Sequence, residues 1–185
     1  MKIGVYVGSF NPVHIGHKKI IDHLIDNNYL DKVIIIPTEG YWDKTNLIDV
    51  KHRINMLKFY ESKNILINDH LNKFQYTYQI LNALKKANPS DELYLIIGAD
   101  NVPKFHLWKN VEEILNNKVL VLNRDDIEIN NYIDKFQQKE NFVIIEDFKP
   151  ISISSTQIRN NVDDMSKYLD KQIYEYIKRN GLYIN

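Results

Sequence analysis

The chain has no cysteine, which excludes disulfide cross-links, thiolate metal ligands and thiol nucleophiles. It has no excess of either charge, since 24 lysines and arginines balance 24 aspartates and glutamates. A polyanion-coating role is therefore disfavoured, no nucleic-acid partner is expected, and any anion site has to be built from individually placed residues. Long apolar runs are missing as well: the longest are strand-length and the N-terminus enters a strand at once. No cleavable signal, spanning segment or membrane partner is expected, and the chain reads as soluble and cytoplasmic. Two glycine-built phosphate loops are absent. There is no Gly-x-x-x-x-Gly-Lys-Ser/Thr, and the spacing of Gly4, Gly8 and Gly16 does not make Gly-x-Gly-x-x-Gly, which argues against a P-loop enzyme and an ordinary dinucleotide-binding dehydrogenase. Without cysteine, a zinc site would have to recruit His23, His52, His70, His106 or carboxylates scattered along the chain, so no metal-ligating residue is assigned.

What is present is an alternation of apolar strands and amphipathic segments. A chain of 185 residues suits one domain spanning 1–185, with roughly 70% of its unfolded surface buried. Strands are expected at 3–7, 33–37, 64–67, 93–97, 119–122 and 142–145. Helices are expected from Ile15, near 50–60, 77–88, 109–116 and 127–138, and from Ser154 or Ser155. A last helix, around Ile173, Tyr176 and Ile177, packs most simply within the domain, the alternative being a partner copy in a homo-oligomer. This order predicts an α/β fold, a doubly wound parallel sheet of the Rossmann-like kind. Right-handed crossovers then bring the strand C-termini to one edge, where ligands bind, and Gly8, Pro37, Gly98 and Asn123 fall on that edge.

Two loops at this edge carry chemistry. In Gly8-Ser9-Phe10-Asn11-Pro12-Val13-His14-Ile15-Gly16-His17, an apolar strand runs into a helix start that places His14 and His17 on one face. They sit beside backbone N–H groups lacking intrahelical partners and the positive end of the helix dipole, a natural place for phosphate. In Ile153-Ser154-Ser155-Thr156-Gln157-Ile158-Arg159, hydroxyls, free amides and a guanidinium meet at another helix start and make a second anion site. Taken singly, each pattern also suits a plain helix cap. Together they make both halves of a triphosphate clamp.

These two motifs resemble the signatures of the nucleotidylyltransferases, a (T/H)-x-G-H loop after the first strand and I-S-S-T-x-x-R near the end. Within that superfamily the chain is most similar to the nicotinate/nicotinamide mononucleotide adenylyltransferases. Gly98-Ala99-Asp100 after a strand, Trp108 within Phe105-His106-Leu107-Trp108-Lys109, Tyr76-Thr77 at a helix start and Gly181-Leu182-Tyr183 at the end extend the likeness over nearly the whole chain. The equivalent of the family's Pro-Pro-His-Lys loop is here Tyr41-Trp42-Asp43-Lys44, which keeps the lysine and loses the prolines and histidine.

The resemblance implies transfer of the adenylyl group of ATP to a pyridine mononucleotide, with release of pyrophosphate. It implies that His14, His17, Lys44 and Arg159 are catalytic, and that Gly8, Ser9, Phe10, Gly16, Ser154, Ser155 and Arg124 bind ATP. Thr77, Gly98, Asp100 and Trp108 would bind the acceptor, and Mg2+ would be held chiefly through phosphate and water oxygens. Alternatives stay open at several positions. Trp108 either stacks on a ring or fills the core, Thr77 either contacts the acceptor or caps its helix, and Asp100 serves ribose hydroxyls, a magnesium-bound water or a cap. Tyr41 and Trp42 either stack or anchor their loop. A sister transferase, such as a phosphopantetheine adenylyltransferase or a cytidylyltransferase, would share the clamp, and a non-catalytic nucleotide-binding module is a further reading.

Overall fold

Apolar runs with little alternation of polarity, the pattern of strands covered on both faces, form β1 (Lys2–Gly8), β2 (Lys32–Pro37), β3 (Ile65–Ile67), β4 (Glu92–Gly98), β5 (Lys118–Leu122) and β6 (Phe142–Ile145). In the computed structural model, which describes residues 1–40, 47–123 and 127–184, they make one sheet in the order β3-β2-β1-β4-β5-β6, all pairs parallel. The order reverses at β1 and β4, the crevice where ligands of doubly wound sheets bind. Register brings the strand ends level: Gly8 pairs with Pro37, and Gly98 with Leu122.

The period-two alternation of each strand sorts the core into two clusters. Val33 and Ile35, Ile96, Leu120 and Leu122, and Ile145 face the helices α1 (Ile15–Asp26), α2 (Val50–Leu57), α6 (Ser155–Asn160) and α7 (Lys171–Arg179). Ile3 and Val5, Ile36, Leu95 and Ile97, Val119 and Val121 face α3 (Thr77–Ala87), α4 (Val111–Ile114) and α5 (Asn130–Ile133). In α7, Ile173 and Ile177 are fully buried against the first cluster, so this helix packs within the chain as expected. Among the described residues no helix is long and apolar enough to cross a membrane.

Two expected helices shrink to single turns. The segment 109–116 is α-helical only over Val111–Ile114, because Asn110 enters it from the left-handed region at φ 51° and the chain must reach β5 at Lys118. The segment 127–138 is α-helical only over Asn130–Ile133. Its inward anchors are Ile129, Ile133 and Phe136, and its remaining surface is largely polar. A feature the sequence pattern did not predict is the tight 3-10 run Ala99–Leu107, with Pro103 inside it and Val102 and Phe105 buried beneath.

Candidate active site

The first loop is built by its own imidazoles. His14, extended at φ −144° and ψ 170°, is the N-cap of α1, and its Nδ1 accepts the Gly16 N–H at 3.1 Å. His17 reaches back, and its Nδ1 accepts the His14 N–H at 3.2 Å. This is a capping box with histidine in both places where Ser/Thr and Glu/Gln ordinarily stand. A backbone N–H only donates, so each Nδ1 presents its lone pair and the neutral ring carries its proton on Nε2. The two rings lie 3.8 Å apart between centroids, and Phe10 meets His17 edge-on at 5.1 Å. Phe10 is itself held at φ 46°, a strained region for a bulky residue, and is locked there by burial. Gly16 leaves no spare room: a Cβ there would lie 2.9 Å from two atoms of the His14 ring.

The second loop docks on the first. Ser154 is the N-cap of α6, its Oγ accepting the Gln157 N–H at 3.2 Å while its own N–H donates to Gln157 Oε1 at 2.8 Å. Ser155 Oγ donates to the Pro12 carbonyl at 2.8 Å, and Arg159 Nη1 donates to the Asn11 carbonyl at 2.8 Å. The serine hydroxyls are therefore engaged in building the site, and what the first turn of α6 presents outward is backbone amide.

A cleft of about 570 Å³ opens between these loops at the sheet edge. Gly8, Ser9 and Phe10 line it from the end of β1, His14, Gly16 and His17 from α1, and Ser154, Ser155 and Arg159 from α6. Gly98 and half-buried Trp108 complete the far side, with the Trp108 indole tilted on Phe105 at 5.0 Å between centroids. Two sequence-derived candidates lie elsewhere. Asp100 is exposed on the 3-10 run, and its neighbour Asn101 lines the cleft instead. Thr77 is buried as the first residue of α3, outside the cleft lining, and Tyr76 takes the N-cap position expected for Thr77. It lies two residues beyond Gln75, which lines a second hollow of about 480 Å³. Lys44 and Arg124, like Tyr41, Trp42 and Asp43, fall outside the described residues.

Among the described residues the cleft lining holds no carboxylate, and no three His, Asp or Glu side chains gather anywhere to hold a metal. N–H donors and a guanidinium suit phosphate oxygens rather than a bare cation.

Arg53 had no sequence signal. It is 1% exposed on α2, and its guanidinium donates to the carbonyls of Ser9 and Thr38, both at 2.7 Å, and through Nε to that of Ile48 at 3.1 Å. It ties the ends of β1 and β2 to the start of α2. Burial lowers its pKa from the ordinary arginine value.

Known proteins resemble the chain over nearly its whole length. The cytidylyltransferase-like family profile matches residues 5–161, a span that contains both loops. The chain is 36% identical over 193 residues to a probable nicotinate-nucleotide adenylyltransferase of Fusobacterium nucleatum, across 97% of this chain and 98% of that one. It is 32% identical to another from Flavobacterium johnsoniae, across 99% of both. The fold is that of Plasmodium falciparum nicotinic acid mononucleotide adenylyltransferase complexed with NaAD, with a TM-score of 0.83 at 23% identity over 98% of this chain and 97% of that one. The chain thus belongs to the nicotinate-nucleotide adenylyltransferases, nucleotidyltransferases of the cytidylyltransferase-like family.

Proposed function

We propose that the protein joins ATP and nicotinate mononucleotide into a dinucleotide, with release of pyrophosphate, as a step of NAD biosynthesis. The observation that carries this reading is the paired imidazoles: each Nδ1 is fixed by a backbone N–H, which turns Nε2–H into the donor for phosphate in a cleft whose lining, among the described residues, holds no carboxylate. The relatives' names favour nicotinate over nicotinamide as the acceptor's ring.

An oxygen of the acceptor's 5′-phosphate attacks the α-phosphorus of ATP in line. The bond from that phosphorus to the α–β bridging oxygen breaks, and pyrophosphate leaves with the electron pair. No covalent enzyme intermediate is needed, so catalysis consists of positioning and charge stabilisation. His14 and His17 donate to oxygens on which negative charge develops, already oriented before the reaction begins. Arg159 and the amides of Ser154 and Ser155 hold the β- and γ-phosphates, with Lys44 and Arg124 as further cations. Gly8, Ser9, Phe10 and Gly16 shape the floor beneath the triphosphate. Magnesium, held through phosphate and water oxygens, would neutralise part of the triphosphate charge. On the acceptor side Trp108 stacks on the pyridine ring, Gly98 lets the ribose approach the backbone, and Thr77 and Asp100 are the remaining candidates.

Two variants test the two ends of the cleft. Trp108→Ala is expected to raise KM for nicotinate mononucleotide by about tenfold or more, the scale of losing one stacked ring, while KM for ATP stays within about twofold. An unchanged acceptor KM in steady-state pyrophosphate release removes Trp108 from the ring site. Gly16→Ala drives a methyl group against the His14 ring and is expected to lower kcat by about tenfold to 100-fold, the scale of a misplaced donor. Wild-type turnover in this variant would contradict a fixed His14.

A further inference from the structure

The C-terminal segment ends far from both signature loops in sequence and on top of one of them in space. Helix α7 closes with the two hydrogen bonds of a Schellman motif: the Leu182 N–H donates to the Ile177 carbonyl at 3.0 Å and the Gly181 N–H to the Lys178 carbonyl at 3.3 Å. Gly181 supplies the left-handed turn at φ 58°, which a side chain would resist. Leu182 then packs on the core, and the reversed chain carries Tyr183 back to the sheet edge. Tyr183 is itself left-handed at φ 57°, and its hydroxyl donates to Asn11 Oδ1 at 2.8 Å.

Asn11 is the hub of the first loop. It is 1% exposed and lines the cleft. Its carbonyl accepts from Arg159, and its side-chain oxygen also takes the Ile48 N–H at 3.4 Å. One residue thus couples the loop that ends in His14, the guanidinium of α6 and the entry to α2. The phenol that completes it lies within electrostatic reach of Arg53 and Arg159, yet burial dominates and raises its pKa, so it stays a hydrogen-bond donor.

We propose that Tyr183 is a positioning residue for adenylyl transfer, a latch that acts through Asn11 to hold the histidine loop and Arg159 in register. The inference rests on the adenylyltransferase reading. A single lost hydroxyl removes no packing volume, so Tyr183→Phe separates the latch from the general stability of α7.

The experiment compares wild type, Tyr183→Phe, Asn11→Ala and the double variant in pyrophosphate release with ATP, magnesium and nicotinate mononucleotide. Thermal melting and equilibrium ATP binding are measured on the same preparations. The latch predicts a kcat for Tyr183→Phe lower by about tenfold, with acceptor KM within about twofold and a melting point within a few degrees of wild type. It also predicts that the double variant is no slower than Asn11→Ala alone, the non-additivity of residues acting as a unit. ATP binding weakens several-fold in Tyr183→Phe. A kcat for Tyr183→Phe equal to wild type, a loss that multiplies with that of Asn11→Ala, or a lowered melting point with kcat unchanged would each overturn the latch while leaving the reaction standing. A wild-type chain that releases no pyrophosphate overturns the functional reading instead, and the latch is then decided by ATP affinity, with equal affinities overturning it.

Discussion

His17→Ala is expected to lower kcat for pyrophosphate release by about 100-fold or more, the cost of removing one preorganised donor from a developing charge. The side chain holds two positions at once. Its Nδ1 closes the capping box on the His14 N–H, and in the proposed reaction its Nε2–H donates to phosphate. Alanine removes both, so a stability loss of about 1 kcal/mol should accompany the kinetic one. Glutamine separates them, because Gln at the third helical position is an ordinary capping-box partner, as Gln157 is for Ser154 in this same molecule. His17→Gln should therefore recover most of the lost stability and little of the turnover. Melting curves and initial rates on the two variants check this, and wild-type kcat in either would remove His17 from the chemistry.

Arg53→Met should have the largest effect on stability. The guanidinium is the shared donor for the carbonyls of Ser9, Thr38 and Ile48, and methionine fills a similar volume while leaving these acceptors without it. Losing this donor costs about 1 kcal/mol at each of the three carbonyls, of which that of Thr38 is buried, so a total of about 3 kcal/mol is expected. In a domain of this size that lowers the melting temperature by about 6–12 °C. Arg53→Lys keeps the charge but has no planar fork to span Ser9 and Thr38, and should fall between the two. Because Ser9 lines the cleft, ATP KM should rise in both variants. Melting and turnover measured together check this, and an Arg53→Met protein as stable as wild type would contradict the account of this buried cation.

The parts of the fold that the residues announce are those with local causes. All six strands are legible because strands covered on both faces read as apolar runs, and most observed limits lie within one residue of the expected ones. His14 and His17 are legible because strand, loop and helix start are contiguous. The segments 109–116 and 127–138 are overextended because their apolar spacing suggests helix, whereas the left-handed Asn110 and the nearness of β5 allow only a turn in the first. Arg53 has no local signature, since it stands among Lys51 and His52 as an ordinary surface cation would. Its burial depends on Ser9 and Thr38, 44 and 15 residues away. Asn11 and Tyr183 meet across 172 residues, so only the folded chain reveals the contact. The serine hydroxyls are the converse case: their sequence pattern points to anions, and the structure spends them on the N-cap of α6 and on Pro12.

Pyrophosphate release from ATP and magnesium in the presence of nicotinate mononucleotide, nicotinamide mononucleotide or phosphopantetheine, with His17→Ala alongside, decides both the reaction and its acceptor. Release should depend on a pyridine mononucleotide, be fastest with the nicotinate form and be nearly lost in the variant. Release with phosphopantetheine alone would contradict the acceptor site built around Trp108, and silence with all three would contradict the proposed reaction.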